Sequence, residues 1–221
     1  FRSNRGSRRR VVGDNPTMNS IRSGVTAAVL ALAAAGLCLV AGSANAAPFP
    51  VITDAPTAIA SRYLSPASES PAGANRFGCR DRDGRNPVVL LHATAMNQSA
   101  NWAYLAPTLA NAGYCVFSLT YGQTSWSGNT GGLGNKEQSA RVVPAFVGRV
   151  LAATGAQKVD VVGHSQGGMM PRYYLKYLGG ASKVGELIGI SPSNHGTTNP
   201  LTIPTGYTIC PACLDQRAGS D

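Results

Sequence analysis

A run of β-branched residues breaks off into a glycine, a histidine, a serine and two more glycines in VDVVGHSQGGMMPRYY, Val159 to Tyr174. An extended run has to become a helix at once there, and so tight a turn holds its central residue, Ser165, in strained backbone. Gly163 and Gly167 lack β-carbons, so the start of the helix can press against the strand and push the Ser165 hydroxyl out at the carboxyl edge of a sheet. The unpaired N–H groups and partial positive charge of the helix N-terminus then lie beside any negative charge that develops there. The crowding thus predicts an exposed nucleophile, provided that a strand precedes it and a helix follows.

The remaining sequence supplies the same alternation. PVVLLH (Pro87 to His92) is a short apolar run bounded by turn residues and reads as a buried strand. Asn101 to Ala112 places Trp102, Leu105, Leu109 and Ala112 at helical spacing, with Pro107 near the first turn and Gly113 as the stop. YCVFSL (Tyr114 to Leu119) is a second strand, and the Gly, Ser and Thr of Thr120 to Asn135 make a long loop. Lys136 to Thr154 sets Val142, Val143, Phe146, Val147, Val150 and Leu151 on one face of a helix, which Pro144 is expected to bend on its outer side. Lys158 to Val162 is the third strand, Gln166 to Leu178 the third helix, and Leu187 to Ile190 a fourth strand. Strands alternating with helices imply right-handed crossovers and a mostly parallel sheet with helices on both faces, an α/β architecture.

The formal charge of +9 would suit a nucleic-acid binder if it were spread along the chain. It is not: Arg2, Arg5, Arg8, Arg9, Arg10 and Arg22 crowd the first tenth, and beyond residue 46 the balance is 13 basic against 9 acidic residues. No basic stripe with interleaved aromatics is visible, which argues against nucleic acid as a partner. From Met18 the chain reads as a secretory signal, with a basic Arg22, an apolar run from Val25 to Val40 and Ala44-Asn45-Ala46 before the expected cleavage. That run is shorter than the roughly 20 residues a membrane span needs. The expected organisation is an upstream extension over 1–17, a signal peptide over 18–46 and one domain over 47–221, secreted to the outside of the cell. In that oxidising setting Cys79, Cys115, Cys210 and Cys213 are disulfide candidates. Cys79 and Cys115 flank one strand and helix. Cys210-Pro-Ala-Cys213 has no second Cys/His pair to complete a metal site, so a disulfide within that pair or to a residue outside this sequence is expected instead. No metal or organic cofactor is implied.

A serine at its free pKa needs a base and an anion hole. One hole donor is the amide of Gln166; the other should come from the loop after the first strand, HATAMNQSANW, where Thr94 is placed to give its backbone N–H and its hydroxyl. PVVLLHATAMNQSANWAYLAPTLANAGYCVFSLTYG, KVDVVGHSQGGMMPRYYLKYLGG, SPSNHGTTNPLTIP and CPACLDQRAGS together resemble the class 2 family of secreted bacterial triacylglycerol lipases and esterases, over about residues 75–220. The resemblance implies an α/β-hydrolase fold, a Ser-His-Asp triad and carboxylic-ester substrates, with Ser165 at the nucleophile and Thr94 and Gln166 at the oxyanion positions. It departs at Ala93, where the family usually has glycine; if positive φ is needed there, the hole is shifted.

The partners of the serine do not fit. In this fold an acid follows the nucleophile and a histidine follows the acid. His195 precedes both Asp215 and Asp221, Glu186 adjoins the start of a strand, and His164 points away from the pocket side. At about 30 residues for each strand–helix unit, two further units would carry the acid and the base. The expectation is therefore a hydrolase whose C-terminal part is missing, of low or no activity as it stands. Its substrates would be lipids or smaller acyl esters, met in transient contact with a lipid–water interface, and no obligate protein partner is inferred. Trp126, in the long loop, is the candidate to contact an acyl chain or cap the site. The competing readings are a secreted polyester depolymerase of cutinase type and a non-catalytic extracellular binding domain on a hydrolase scaffold.

Overall fold

The computed structural model describes residues 47–198 and 209–219. The expected signal peptide and the extension before it lie outside the described residues. Four parallel strands form one sheet: β1 (Val88–Leu91), β2 (Val116–Leu119), β3 (Val159–His164) and β4 (Val184–Ile190), in the spatial order β2-β1-β3-β4. The register runs Val88↔Val116 to Leu91↔Leu119 on one side of β1, and Val88↔Asp160 to Leu91↔Gly163 on the other.

Alternate residues of the inner strands face opposite layers, because strand side chains have a period of two. Val89, Leu91, Phe117 and Val161 join a cluster with Val143, Val147 and Val150 of α5 (Val143–Thr154) and Tyr174 of α7 (Pro171–Tyr177). Val88, Leu90, Val116 and Val162 meet Trp102 and Ala106 on the other face, where α2 (Gln98–Asn101) and α3 (Leu105–Asn111) lie. The helices therefore cover both faces, as the alternation of elements predicted. Each fully buried Val, Leu or Phe contributes roughly 1.5–3 kcal/mol. β4 is different: Ile188 and Ile190 stay exposed at one edge of the sheet.

The helices are more broken than their periodicity implied. Asn101 to Ala112 holds only the last residue of α2 and then α3, with Trp102 to Tyr104 between them. Lys136 to Thr154 is α4 (Lys136–Ala140) followed by α5, with Pro144 in the first turn of α5 instead of at a bend within one helix. Gln166 to Leu178 is α6 (Gln166–Met169) and α7, which opens at Pro171. The reason is the same at both prolines: proline lacks the N–H that an inner turn needs but fits the first turn, where that N–H has no partner anyway. Two helices were not anticipated, α1 (Ala55–Arg62), which is capped by the Asp54 carboxylate, and α8 (Pro211–Asp215).

Candidate active site

Ser165 stands between β3 and α6 with φ 52° and ψ −119°, a left-handed conformation that costs a non-glycine residue about 1–3 kcal/mol. Its surroundings enforce it. The Ser165 N–H donates to the Ile190 carbonyl at 2.9 Å, and its own carbonyl accepts the Gly168 N–H at 2.9 Å. A Cβ on Gly163 would run into the Gly167 carbonyl, and one on Gly167 into the Leu91 carbonyl of β1. Gly168 belongs to the same contact, 2.9 Å from the Gly163 oxygen if given a Cβ. Its signal in the sequence was its place directly after Gly167.

The loop after β1 carries Thr94. His92 is fully buried and stacked on Tyr121 at 4.2 Å between ring centroids. The Tyr121 N–H donates to His92 Nε2 at 3.1 Å, so the proton of the neutral ring sits on Nδ1, which donates to the Ala93 carbonyl at 2.8 Å. Burial holds that ring neutral, pushing its pKa down to about 4. In a trans peptide the carbonyl and the next N–H point opposite ways, so fixing the Ala93 oxygen aims the Thr94 N–H away from His92, and no described peptide is cis. Among the described residues, neither the Thr94 nor the Gln166 N–H donates to a protein acceptor. Positive φ does not fall on Ala93; it falls on Ala95, at 54°. Ala93 therefore carries no backbone strain that would call for glycine there.

Gln166 is fully buried and linked to Thr94 through side chains. The Thr94 hydroxyl donates to Gln166 Oε1 at 2.7 Å, and Gln216 Nε2 lies 2.9 Å from Thr94 Oγ1 and 3.0 Å from Gln166 Oε1. The hydroxyl proton of Thr94 is thereby engaged, whereas its backbone N–H has no protein acceptor among the described residues. Gln216, buried at the end of α8, is a residue that the sequence reading missed; a lone glutamine carries no motif. Glycines also bring the long loop against the Thr94 segment: Gly131 N–H donates to Met96 O at 2.7 Å, and a Cβ on Gly132 would lie 3.0 Å from Thr94 Cα. Trp126 sits on the turn of that loop and is 51% exposed.

The chain has three histidines, and none of them forms a hydrogen bond with Ser165 Oγ among the described residues. His92 is locked on Tyr121. His164 meets Asn101 Oδ1 at 3.0 Å, and burial lowers its pKa. His195 is exposed, beside a cleft of about 210 Å3 that Ser193, Asp215 and Gln216 also line. Glu186 lies within β4 and not at its carboxyl end. Cys79 is bonded to Cys115 and Cys210 to Cys213. The second bridge packs with Leu133, Ala212 and Ala95, directly under the Thr94 loop. Both disulfides fit an oxidising compartment.

The sequence profile of lipase (class 2) matches residues 85–219. A triacylglycerol lipase of Burkholderia plantarii is 33% identical over 123 residues, covering 53% of this chain and 32% of that protein. One of Pseudarthrobacter phenanthrenivorans is 37% identical over 94 residues, covering 40% and 28%. Among solved structures, a Bacillus licheniformis lipase in propeptide form aligns with a TM-score of 0.49 at 15% identity, over 70% of this chain and 34% of that one. The chain spans about a third of the length of these relatives. With the profile covering more than half of its residues, and the strand, serine turn and helix in place within the match, the chain belongs to the class 2 lipase family and has the α/β-hydrolase fold.

Proposed function

We propose that residues 47–221 carry the nucleophile and oxyanion hole of a secreted hydrolase of carboxylic esters, triacylglycerols or shorter acyl esters. The observation that supports this reading is the placing of Ser165 on a strained turn beside two amides, those of Thr94 and Gln166, that have no protein acceptor among the described residues. Ser165 Oγ attacks the ester carbonyl carbon while its proton passes to a base. The carbonyl oxygen becomes an oxyanion that accepts from the two amides, worth about 2.7–4 kcal/mol for a well-placed donor. Collapse expels the alcohol, which takes the proton back from the base and leaves an acyl ester on Ser165. Water then attacks that ester, again through the base, and releases the carboxylic acid. The three histidines are locked, engaged or exposed, so the base and its acid are assigned to sequence outside these 221 residues. Trp126, half exposed, is the proposed contact with acyl chains at a lipid–water interface. Export through a signal peptide at 18–46 completes the reading.

Labelling with a fluorophosphonate probe tests it. The full-length protein should be labelled and its Ser165→Ala variant should not. Labelling of the 47–221 segment by itself would show that a base resides within it, and His195 would then take that role.

A further inference from the structure

Resting on that reading of Ser165, Thr94 and Gln166, we propose that Asn101 is a positioning residue that ties the two halves of the site together through one oxygen. Asn101 Oδ1 accepts the Ala93 N–H at 3.0 Å and meets His164 Nδ1 at 3.0 Å. An amide oxygen only accepts, so Nδ1 of His164 carries the proton, and both lone pairs of the oxygen are in use. Ala93 directly precedes Thr94, and His164 directly precedes Ser165. The bridge thus joins the residues just upstream of a hole donor and of the nucleophile.

Its place in the fold explains why it is needed. β1 and β3 are neighbours whose last paired rung is Leu91↔Gly163. Beyond that rung the ladder stops and the two chains part, one into the Thr94 loop and the other into the serine turn. Asn101 takes over as the cross-link there. It closes α2, whose other end is fixed by Asn97: Oδ1 accepts the Ala100 N–H at 2.8 Å and Nδ2 donates to the Tyr63 carbonyl at 2.8 Å. The oxygen therefore sits on an anchored turn, and a drift of about 1 Å between hole and nucleophile costs on the order of 100-fold in rate.

The test uses the full-length protein and a p-nitrophenyl ester. Asn101→Ala is expected to lower kcat about 10- to 100-fold with KM within about twofold, because a misplaced hole is felt only as charge develops. Affinity for a boronic-acid transition-state analogue should fall by the same factor. His164→Ala should also lower kcat, and the double variant should be no worse than Asn101→Ala, since both break one bridge. An unchanged kcat in Asn101→Ala, or losses that multiply in the double variant, overturns the proposal. Ser165→Ala separates it from the ester-hydrolase reading: hydrolysis that survives Ser165→Ala defeats that reading, whereas activity lost in Ser165→Ala and kept in Asn101→Ala defeats only the bridge. Should Asn101→Ala not fold, nitrogen NMR of the unsubstituted protein decides the matter. A neutral Nδ1–H tautomer of His164 supports the bridge, and an Nε2–H tautomer overturns it.

Discussion

Thr94 and Gln166 are joined side chain to side chain, the threonine hydroxyl donating to the glutamine Oε1 at 2.7 Å. The two residues proposed to bind an oxyanion through their main chains are therefore fixed to each other by their side chains, and Gln216 closes the triangle. Replacing Gln216 by alanine removes all three Nε2 contacts, to Thr94 Oγ1, Gln166 Oε1 and the Ala212 carbonyl, and leaves buried oxygens short of a donor. Stability should fall by roughly 1–3 kcal/mol in urea unfolding. The kcat of the full-length protein should fall about tenfold at unchanged KM. If neither moves, the triangle has no part in holding the site.

Gly163→Ala and Gly167→Ala force a methyl group into main-chain carbonyls that have nowhere to go. Each should cost at least about 3 kcal/mol or prevent folding. Gly148→Ala is the opposite case: it lies within α5, where an added Cβ meets nothing within 4 Å. That variant should gain up to about 1 kcal/mol. Thermal unfolding of the three proteins side by side checks the contrast.

The buried His92 makes stability depend on acid. Its folded pKa, about 4, lies below the 6.5 of the free side chain. The unfolded chain therefore binds a proton that the folded one refuses, and stability present above pH 6.5 is lost as the pH falls toward 4. The loss amounts to about 3 kcal/mol over that window. Denaturant unfolding at pH 7 and pH 4.5 should show it, and His92→Gln should flatten the difference. A parent protein equally stable at both pH values would rule the effect out.

The two disulfides should differ in what they do. Cys79–Cys115 spans 36 residues, and removing it with paired serines should cost about 4 kcal/mol by the loop-entropy relation. Cys210–Cys213 spans 3 and should cost about 2 kcal/mol. Yet the shorter bridge lies under Ala95 and leads into Gln216, so its loss should reduce kcat more than loss of the longer one. Assays and unfolding curves of both pairs decide whether the order of activities is the reverse of the order of stabilities.

The inner strands were legible because a parallel sheet covered on both faces favours near-continuous apolar runs; PVVLLH and YCVFSL are such runs, and KVDVV is one interrupted at Asp160, whose carboxylate accepts from Asn86 and the Glu186 N–H. The serine turn was legible because only glycine can sit where Gly163 and Gly167 meet backbone. The helix breaks were hidden, since an apolar face continues across Arg141 and Val142 even though the hydrogen-bonding does not. α1 was hidden for another reason: within its Pro/Ala/Ser-rich stretch Ala58 is the one helix residue that is buried, and one residue makes no period. Asn101 and Gln216 could not be found at all. Their worth lies in partners set apart in sequence, as with the separation of 122 positions between Gln216 and Thr94, and an amide side chain has no spacing rule that announces it.

That separation also sets an order of events. The serine turn can form once β1, β3, α6 and β4 have been made, whereas the support for Thr94 and Gln166 must wait for residues 210–216 to be synthesised and folded back onto Leu133, whose carbonyl takes the Ala212 N–H at 3.0 Å. On the proposed reading of Ser165, ester cleavage would be among the last properties a growing chain acquires, and the Cys210–Cys213 bond would favour it.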